Sequence, residues 1–528
     1  MKLRTIVKIA ITSSVVLLCS GFALYSFFRL SAAEGQKDFN LYELVPSTTS
    51  AVFVTDDVLE FVAEVDELTC SKNQQYLYVS KLFSYLKQSL YALSEDTPHG
   101  LSRQMNQMLI SFHEPDNERN QVLYCRLGNG DKELVNRFVR KYISSLYPPK
   151  TFIYKGEEII IYPMADGDFL ACYLTSDFMA LSFQKKLIEN VIDAYKSGKS
   201  LADDSTFTGI RAPKKSAAAA TIYTRMQGMM GWTEFDMKMK DDFIYFSGIT
   251  HDADTCFAFI NQLRQQQSVK GFPGEVLPST AFYFSRQGIT DWVSLLSYGN
   301  AQGQSVPART SEVQNRDKEF SRYLMENAGQ DLVACLFQRE DTLQGAAAVL
   351  SLSVADVTEA ERMLRALVNA APADEGRRNP RITFCYTVNK AYPIYRLPQT
   401  TLFEQLTSFA EPTLDVYAAF YVGRLLLAPD ADALAHYIRQ LDKGEVLNGA
   451  MAYQTGMDHL SDSYHFMLMA DFDHIFQQSE NHVRFVPDFF LRNADFFRHF
   501  TLFVQFACAD GMVYPCLLYT SPSPRDTR

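Results

Sequence analysis

The sequence repeats itself, and the repeat limits the folds that the chain can adopt. Val45-Pro46-Ser47-Thr48 opens a strand-like run, and Leu277-Pro278-Ser279-Thr280 opens another more than two hundred residues later. The patterns after each quartet come in the same order: an aromatic and β-branched strand, a short helix, a pair of strands and an amphipathic helix. We therefore predict two related units in tandem. Convergence of two similar patterns is the alternative.

The clearest correspondence is a strand followed by a helix. Residues 178–201 can be laid on residues 424–447 without a gap, and Gly198 then meets Gly444. Both glycines are placed to end a helix in the left-handed conformation. Hairpins that alternate with single helices are typical of antiparallel sheets. The predicted fold class is α+β: two tandem related domains of mainly antiparallel sheet, with helices packed on one face, preceded by one transmembrane helix.

The first residues predict a membrane segment. Three cations precede an uncharged apolar stretch from Ile9 to Phe28. At about 1.5 Å per residue, a helix over this stretch matches a hydrocarbon core of about 30 Å. The cations predict a cytoplasmic N-terminus, and thus a single-pass inner-membrane protein with its body in the periplasm. A cleaved signal peptide is the alternative, because Ser31-Ala32-Ala33 resembles a cleavage site.

The last residues resemble a sequencing artefact. The stretch from Cys516 to Asp526 looks like a translated transposon-type sequencing-library adapter. A natural Ser/Pro-rich tail is the alternative. We predict that the natural chain continues past Pro515. The predicted division is a cytoplasmic basic tip (1–8), a transmembrane anchor (9–28), a linker (29–40), a first α+β repeat (41–272), a second, truncated α+β repeat (273–515) and an adapter artefact (516–528).

The composition is that of a packed globular protein, with 47% hydrophobic and 21% charged residues. The formal net charge is −11 and no long Lys/Arg run is present, so nucleic acid is not predicted as a partner. None of the nine cysteines belongs to a C-x-x-C pair, which argues against a zinc ribbon or a thioredoxin-like redox motif. Several, such as Cys125, Cys172 and Cys335, lie in apolar runs and are predicted to be buried thiols.

The sequence contains no catalytic or nucleotide-binding motif of the common types. Gly128-Asn129-Gly130-Asp131 lacks the third glycine of a dinucleotide fingerprint, and it predicts a turn with Asp131 capping a helix. Asp430 is predicted in the first turn of a helix. We predict no catalytic, cofactor-binding or metal-ligating residues and no cofactor. The spacing of the histidines in the last third matches no set of metal ligands: His459, His465, His474, His482 and His499.

The N-terminal segment, the first Pro-Ser-Thr quartet and the strand–helix unit Phe178–Leu201 together resemble an uncharacterised, domain-of-unknown-function family of bacterial envelope proteins. The resemblance covers most of the chain. It implies an envelope location and a fold, and it implies no catalytic residues.

Three functions from different classes are compatible with the sequence. The favoured one is a non-enzymatic, membrane-anchored extracytoplasmic interaction or scaffold protein, whose two units form a binding surface at their junction. The second is a periplasmic carrier or chaperone for an apolar ligand, which requires an open apolar cavity. The aromatic run from Phe485 to Phe506 suggests a groove for such a ligand, although core filling is the alternative. The third is an envelope hydrolase, which requires acidic or Ser/His groups converging in one cleft. The predicted partners are the membrane, through Ile9 to Phe28, and an envelope protein or an apolar ligand.

Overall fold

A computed structural model of the chain describes the two units in detail. The sequence of 528 residues is described at residues 39–68, 105–114, 119–128, 131–138, 147–164, 167–210, 218–225, 231–240, 243–250, 258–290, 292, 311–339, 345–370, 381–388, 390–398, 415–477, 486, 490–491 and 494–520.

Ten strands of the first half form one half of a large antiparallel sheet. The strands are β1 (Ala51–Thr55), β2 (Met108–Phe112), β3 (Gln121–Arg126), β4 (Lys150–Tyr154), β5 (Glu157–Pro163), β6 (Phe169–Leu174), β7 (Phe178–Ser182), β8 (Ala220–Thr224), β9 (Thr233–Lys240) and β10 (Phe243–Thr250). Their order across the sheet is β4-β5-β6-β7-β3-β2-β1-β8-β9-β10. The sheet grows on both sides of β1, β2 and β3, because β7 returns to pair with β3 and β8 returns to pair with β1.

The second half repeats this pairing strand for strand. Its strands are β11 (Val269–Lys270), β12 (Ala281–Gly288), β13 (Ala328–Gln338), β14 (Ala346–Val354), β15 (Ile382–Tyr386), β16 (Ala391–Pro398), β17 (Asp415–Tyr421), β18 (Arg424–Ala428), β19 (Ser463–Tyr464), β20 (Phe466–Asp471), β21 (Thr501–Ala509) and β22 (Met512–Thr520). Their order across the sheet, starting from the last strand, is β22-β21-β20-β12-β13-β14-β18-β17-β16-β15. Two short strands, β11 and β19, pair separately.

The two halves meet where β10 pairs with β22 in antiparallel fashion. Each of these strands is the last of its half, so the junction relates the halves by an approximate two-fold rotation. The described strands therefore form one continuous 20-stranded sheet. We call the β10–β22 pair, with its neighbour β9, the seam.

The two Pro-Ser-Thr quartets occupy equivalent places. Pro46 forms an isolated bridge with Ser200, and Pro278 forms one with Val446. In each half the quartet is thus held by the last residues of the strand–helix unit. That the halves arose by duplication stays a prediction.

Helices cover both faces of the sheet, because neighbouring residues of the central strands point to opposite faces and both sets are apolar. The described α-helices are α1 (Val58–Glu67), α2 (Asp131–Phe138), α3 (Lys185–Ser197), α4 (Ser205–Ile210), α5 (Ala258–Gln265), α6 (Ser311–Asn327), α7 (Val357–Ala370), α8 (Ala431–Asp442), α9 (Met451–Met457), α10 (Phe472–Phe476) and α11 (Ala494–Phe497). In β13, Val333 and Cys335 pack under α8 and α9, whereas Leu332 and Ala334 pack under α6, α7 and α10. In the first half, α3 and α4 pack on one face and α1 and α2 on the other.

The predicted fold class is therefore wrong, although its α+β character and antiparallel pairing are correct. One sheet runs through both halves where two separate sheets were expected. The reason is that β10, the edge strand of the first half, pairs with β22 of the second half. Helices lie on both faces, not on one. Among the described residues, no helix combines the length and the apolar character that crossing a bilayer demands. The predicted anchor, Ile9 to Phe28, lies outside the described residues.

Several local predictions are confirmed. Gly198 and Gly444 follow their helices at φ of +62° and +75°, in the left-handed region that favours glycine. Asp430, predicted in the first turn of a helix, lies one residue before α8 and caps it by accepting a hydrogen bond from the Ala433 amide at 2.7 Å. The thiols of Cys125, Cys172 and Cys335 are buried.

The C-terminal stretch contributes to the sheet. Residues 512–520 form β22, and Leu518 is fully buried. Cys516 to Thr520 of this strand belong to the stretch that resembles an adapter, and they supply five of the six residue pairs between β22 and β10; Val513 supplies the sixth. Its origin as an artefact stays a prediction, and residues 521–528 lie outside the described part.

Candidate functional site: a cavity at the seam between the halves

The seam carries a cavity of about 360 Å³. Its floor comes from cross-strand neighbours: Lys238 on β9 pairs with Tyr245 on β10, and Tyr245 pairs with Leu518 on β22. Lys240 pairs with Phe243 in the next row on the same face. Since the floor spans strands of both halves, the cavity exists only when the halves are joined.

One wall comes from the second half. The ring of His459, just after α9, lies 4.6 Å from the Phe243 ring, measured between centroids. Glu64 of α1 also lines the cavity. The lining residues are Glu64, Ala219, Lys238, Met239, Lys240, Phe243, Tyr245, His459 and Leu518.

The cavity combines an apolar floor with an excess of positive charge. Lys238 and Lys240 are exposed, and within the described residues neither is in an ion pair. Glu64 is the one carboxylate among the lining residues. Its pKa is raised by desolvation and by the neighbouring Glu60 and Glu67 carboxylates.

A second cavity, of about 570 Å³, lies at the tip of the β21–β22 hairpin and contains His465, Cys508 and Arg264. The Cys508 amide donates a hydrogen bond to His465 Nδ1 at 3.2 Å. Burial lowers the pKa of this imidazole, and burial raises the pKa of the Cys508 thiol to about 11. The thiol is therefore protonated at neutral pH. A reactive cysteine needs a depressed pKa, so this cavity lacks an activated nucleophile.

A serine and a histidine converge in the first half, which sequence reasoning did not find. Ser111 Oγ lies 2.9 Å from His113 Nε2 and 3.0 Å from the Tyr124 hydroxyl. Both Ser111 and Tyr124 are fully buried. Burial lowers the pKa of His113 to about 4. The hydrolase hypothesis requires such groups in a cleft, and a substrate has no access to this buried serine.

A buried ionic cluster in the second half has a structural role. Asp331 accepts from Arg286 Nε at 3.0 Å and from Arg424 Nη1 at 3.3 Å. Arg424 also donates to Ser351, and Ser353 donates to Asp331. These bonds join β12, β13, β14 and β18, so the cluster fixes the register of four strands.

The histidines noted in the sequence do not converge. His474 Nδ1 lies 2.9 Å from Asp471 Oδ2 beside the start of α10, and His482 lies outside the described residues. His459 lines the seam cavity and His465 the hairpin cavity. In the described part of the chain, no cluster of three or more His, Cys, Asp or Glu side chains is arranged to hold a metal ion.

The aromatic run near the C-terminus fills the core. Phe497, Phe500 and Phe503 are buried, and the Phe490 ring packs on the Phe497 ring at 4.7 Å. The suggested ligand groove is therefore wrong for these residues. Phe485, Phe489 and the side chain of Phe496 lie outside the described part.

The seam lysines were missed by sequence reasoning. The run Met237-Lys238-Met239-Lys240 alternates with period two, which is a strand signal with one basic face. That signal was available. It does not reveal that β10 and β22 extend this face into a floor, because pairing between distant strands leaves no local pattern.

In comparisons with known proteins, no family model, no curated protein and no solved structure matches the chain.

Proposed function

We propose that the protein is a non-enzymatic interaction or scaffold protein whose binding surface is the seam. The observation that carries the proposal is that the seam cavity takes its lining from both halves, with Tyr245 from the first and His459 from the second. A pocket with an apolar floor and a few placed polar groups is the usual form of a binding site.

We further propose that the body acts outside the cytoplasm, in the periplasm of a bacterial envelope. The support is the sequence alone: cations followed by an uncharged apolar stretch direct a chain to export, whether or not the stretch is later cleaved. Protease protection in spheroplasts tests this location. Digestion of the body by external protease is expected, and protection until lysis would contradict it.

Site-specific photocrosslinking tests the seam as the binding surface. A photoreactive phenylalanine replaces Tyr245 at the seam, and in a matched variant it replaces Tyr386 on β15, at the far end of the sheet, where the side chain is 72% exposed. Adducts in intact cells are expected from position 245 and not from position 386. Adducts only from position 386 would contradict the proposal.

The second candidate function, a carrier for an apolar ligand, is favoured by the floor of the same cavity. Phe243, Tyr245 and Leu518 give this floor its apolar surface. A carrier would release a bound small molecule on denaturation, which mass spectrometry of the organic extract detects. An interaction protein without ligand would release none.

A further inference from the structure

We propose that the seam cavity binds a single-chain anionic amphiphile, such as a medium-chain carboxylate, with its head group at Lys238 and Lys240. The inference rests on the proposed function, because it names the ligand class of the same site. Its support is the arrangement of charge, apolar surface and size in the cavity.

The charge of the lining favours an anion. Lys238 and Lys240 lie two residues apart on β9, so both side chains leave the same face of the strand. Both are exposed, and both line the cavity. Against these two cations the lining offers the single carboxylate of Glu64. Asp241 and Asp242, which follow in the sequence, lie outside the described residues.

The apolar surface lies directly beside the lysines. Each lysine faces an aromatic residue across the β9–β10 pair: Lys238 faces Tyr245, and Lys240 faces Phe243. Leu518 continues the floor onto β22. A ligand whose head group contacts the ammonium groups therefore has its chain against Phe243, Tyr245 and Leu518. Each methylene that the alkyl chain buries against these side chains strengthens binding.

The size selects a single chain. A volume of about 360 Å³ is at the small end of the range of about 300–1,000 Å³ that is usual for small-molecule sites. One alkyl chain with a carboxylate suits this volume, whereas a two-chain lipid exceeds it.

Titration calorimetry of the full chain tests the inference with three probes of equal chain length, the ionic ones below their critical micelle concentrations and the alcohol below its solubility limit. The probes are dodecanoate, dodecan-1-ol and dodecyltrimethylammonium. Dodecanoate is expected to bind at least tenfold more tightly than dodecan-1-ol, and the cationic probe least tightly. Equal affinities for all three would overturn the anionic ligand class.

Two lysine variants locate the head group. The double variant Lys238→Gln/Lys240→Gln is expected to bind dodecanoate no more tightly than dodecan-1-ol. The control Lys185→Gln/Lys186→Gln removes two exposed lysines from α3 and is expected to leave the affinity unchanged. An unchanged affinity in the seam variant, or an equal loss in the control, would overturn the assignment.

The outcomes separate this inference from the proposed function. If none of the probes binds while crosslinks from position 245 persist, the ligand class is wrong and the interaction surface stands. If dodecanoate binds and crosslinks are absent, the ligand inference stands and the partner protein is contradicted.

Discussion

Replacing Asp331 by Asn is expected to destabilise the protein strongly, because the carboxylate balances two guanidinium groups in a place that water scarcely reaches. The side chains of Arg286 and Arg424 are each 15% exposed, and that of Asp331 is 10% exposed. Breaking a buried ion pair by removing one partner costs about 3–5 kcal/mol. Asn keeps the shape and one acceptor oxygen but loses the charge, so we expect a loss near 3 kcal/mol, at the lower end of the ~3–5 range.

Urea denaturation followed by circular dichroism measures this loss. With an m-value of about 3 kcal/mol per molar urea, the midpoint is expected to fall by about 1 M. The matched control is Glu359→Gln, the same kind of change in an ion pair with Arg362, whose side chains are 38% and 67% exposed. An exposed pair contributes at most about 1 kcal/mol, so the control midpoint is expected to move little.

A second substitution tests the cause of the loss. If unbalanced charge is the reason, Arg424→Met in the Asp331→Asn background should recover part of the stability, because one uncompensated cation is removed. If Asp331→Asn shifts the midpoint no further than Glu359→Gln does, the charge of Asp331 does not stabilise the fold in this way.

Three further predictions concern local structure and pH. Asp430→Ala removes the cap of α8 and should cost about 1 kcal/mol in urea denaturation; an unchanged midpoint would speak against the cap. Gly198→Ala forces a side chain into the left-handed region and should cost about 1–2 kcal/mol. The control Gly209→Ala, in a helix with open space around it, should stabilise the protein by about 0.4–1 kcal/mol. Equal effects of the two substitutions would contradict a conformational requirement for glycine at position 198. Because the folded pKa of His113 is about 4, below its unfolded value of about 6.5, the unfolded state takes up the proton first. The stability that the buried, neutral His113 imidazole contributes should therefore be lost as pH falls from about 6.5 towards 4. NMR titration of the His113 ring signals measures the folded pKa, and a midpoint above 6 would contradict this prediction.

Much of the local structure could be predicted because its causes are local. The glycines at 198 and 444 end helices by their own conformational freedom, and Asp430 caps by its own short side chain. The buried thiols followed from the apolar runs around them. Such features need only a few neighbouring residues, and the sequence displays those neighbours directly.

The arrangement of the sheet could not be predicted in the same way. Both faces of β13 are apolar, as Leu332, Val333, Ala334 and Cys335 show, and that run of buried residues was available as a signal for helices on two faces. The pairing of β10 with β22 had no such signal, because it joins residues more than two hundred positions apart. The seam cavity depends on that pairing, so it was out of reach of sequence reasoning for the same reason.

A disulfide across the seam tests whether the two halves join into one sheet. Thr250 and Val513 are opposite neighbours on β10 and β22, and both are buried. Side chains at such positions have Cβ atoms about 4.5–5.5 Å apart, close enough for a disulfide after a small adjustment. The control pairs Thr250→Cys with Met512→Cys, whose side chain points to the other face of the sheet.

Peptide mapping after mild oxidation gives the result. A disulfide is expected between positions 250 and 513 in the Thr250→Cys/Val513→Cys variant, and none is expected between positions 250 and 512 in the control. Absence of the 250–513 disulfide, or equal yields in both variants, would contradict a sheet that runs continuously through the two halves.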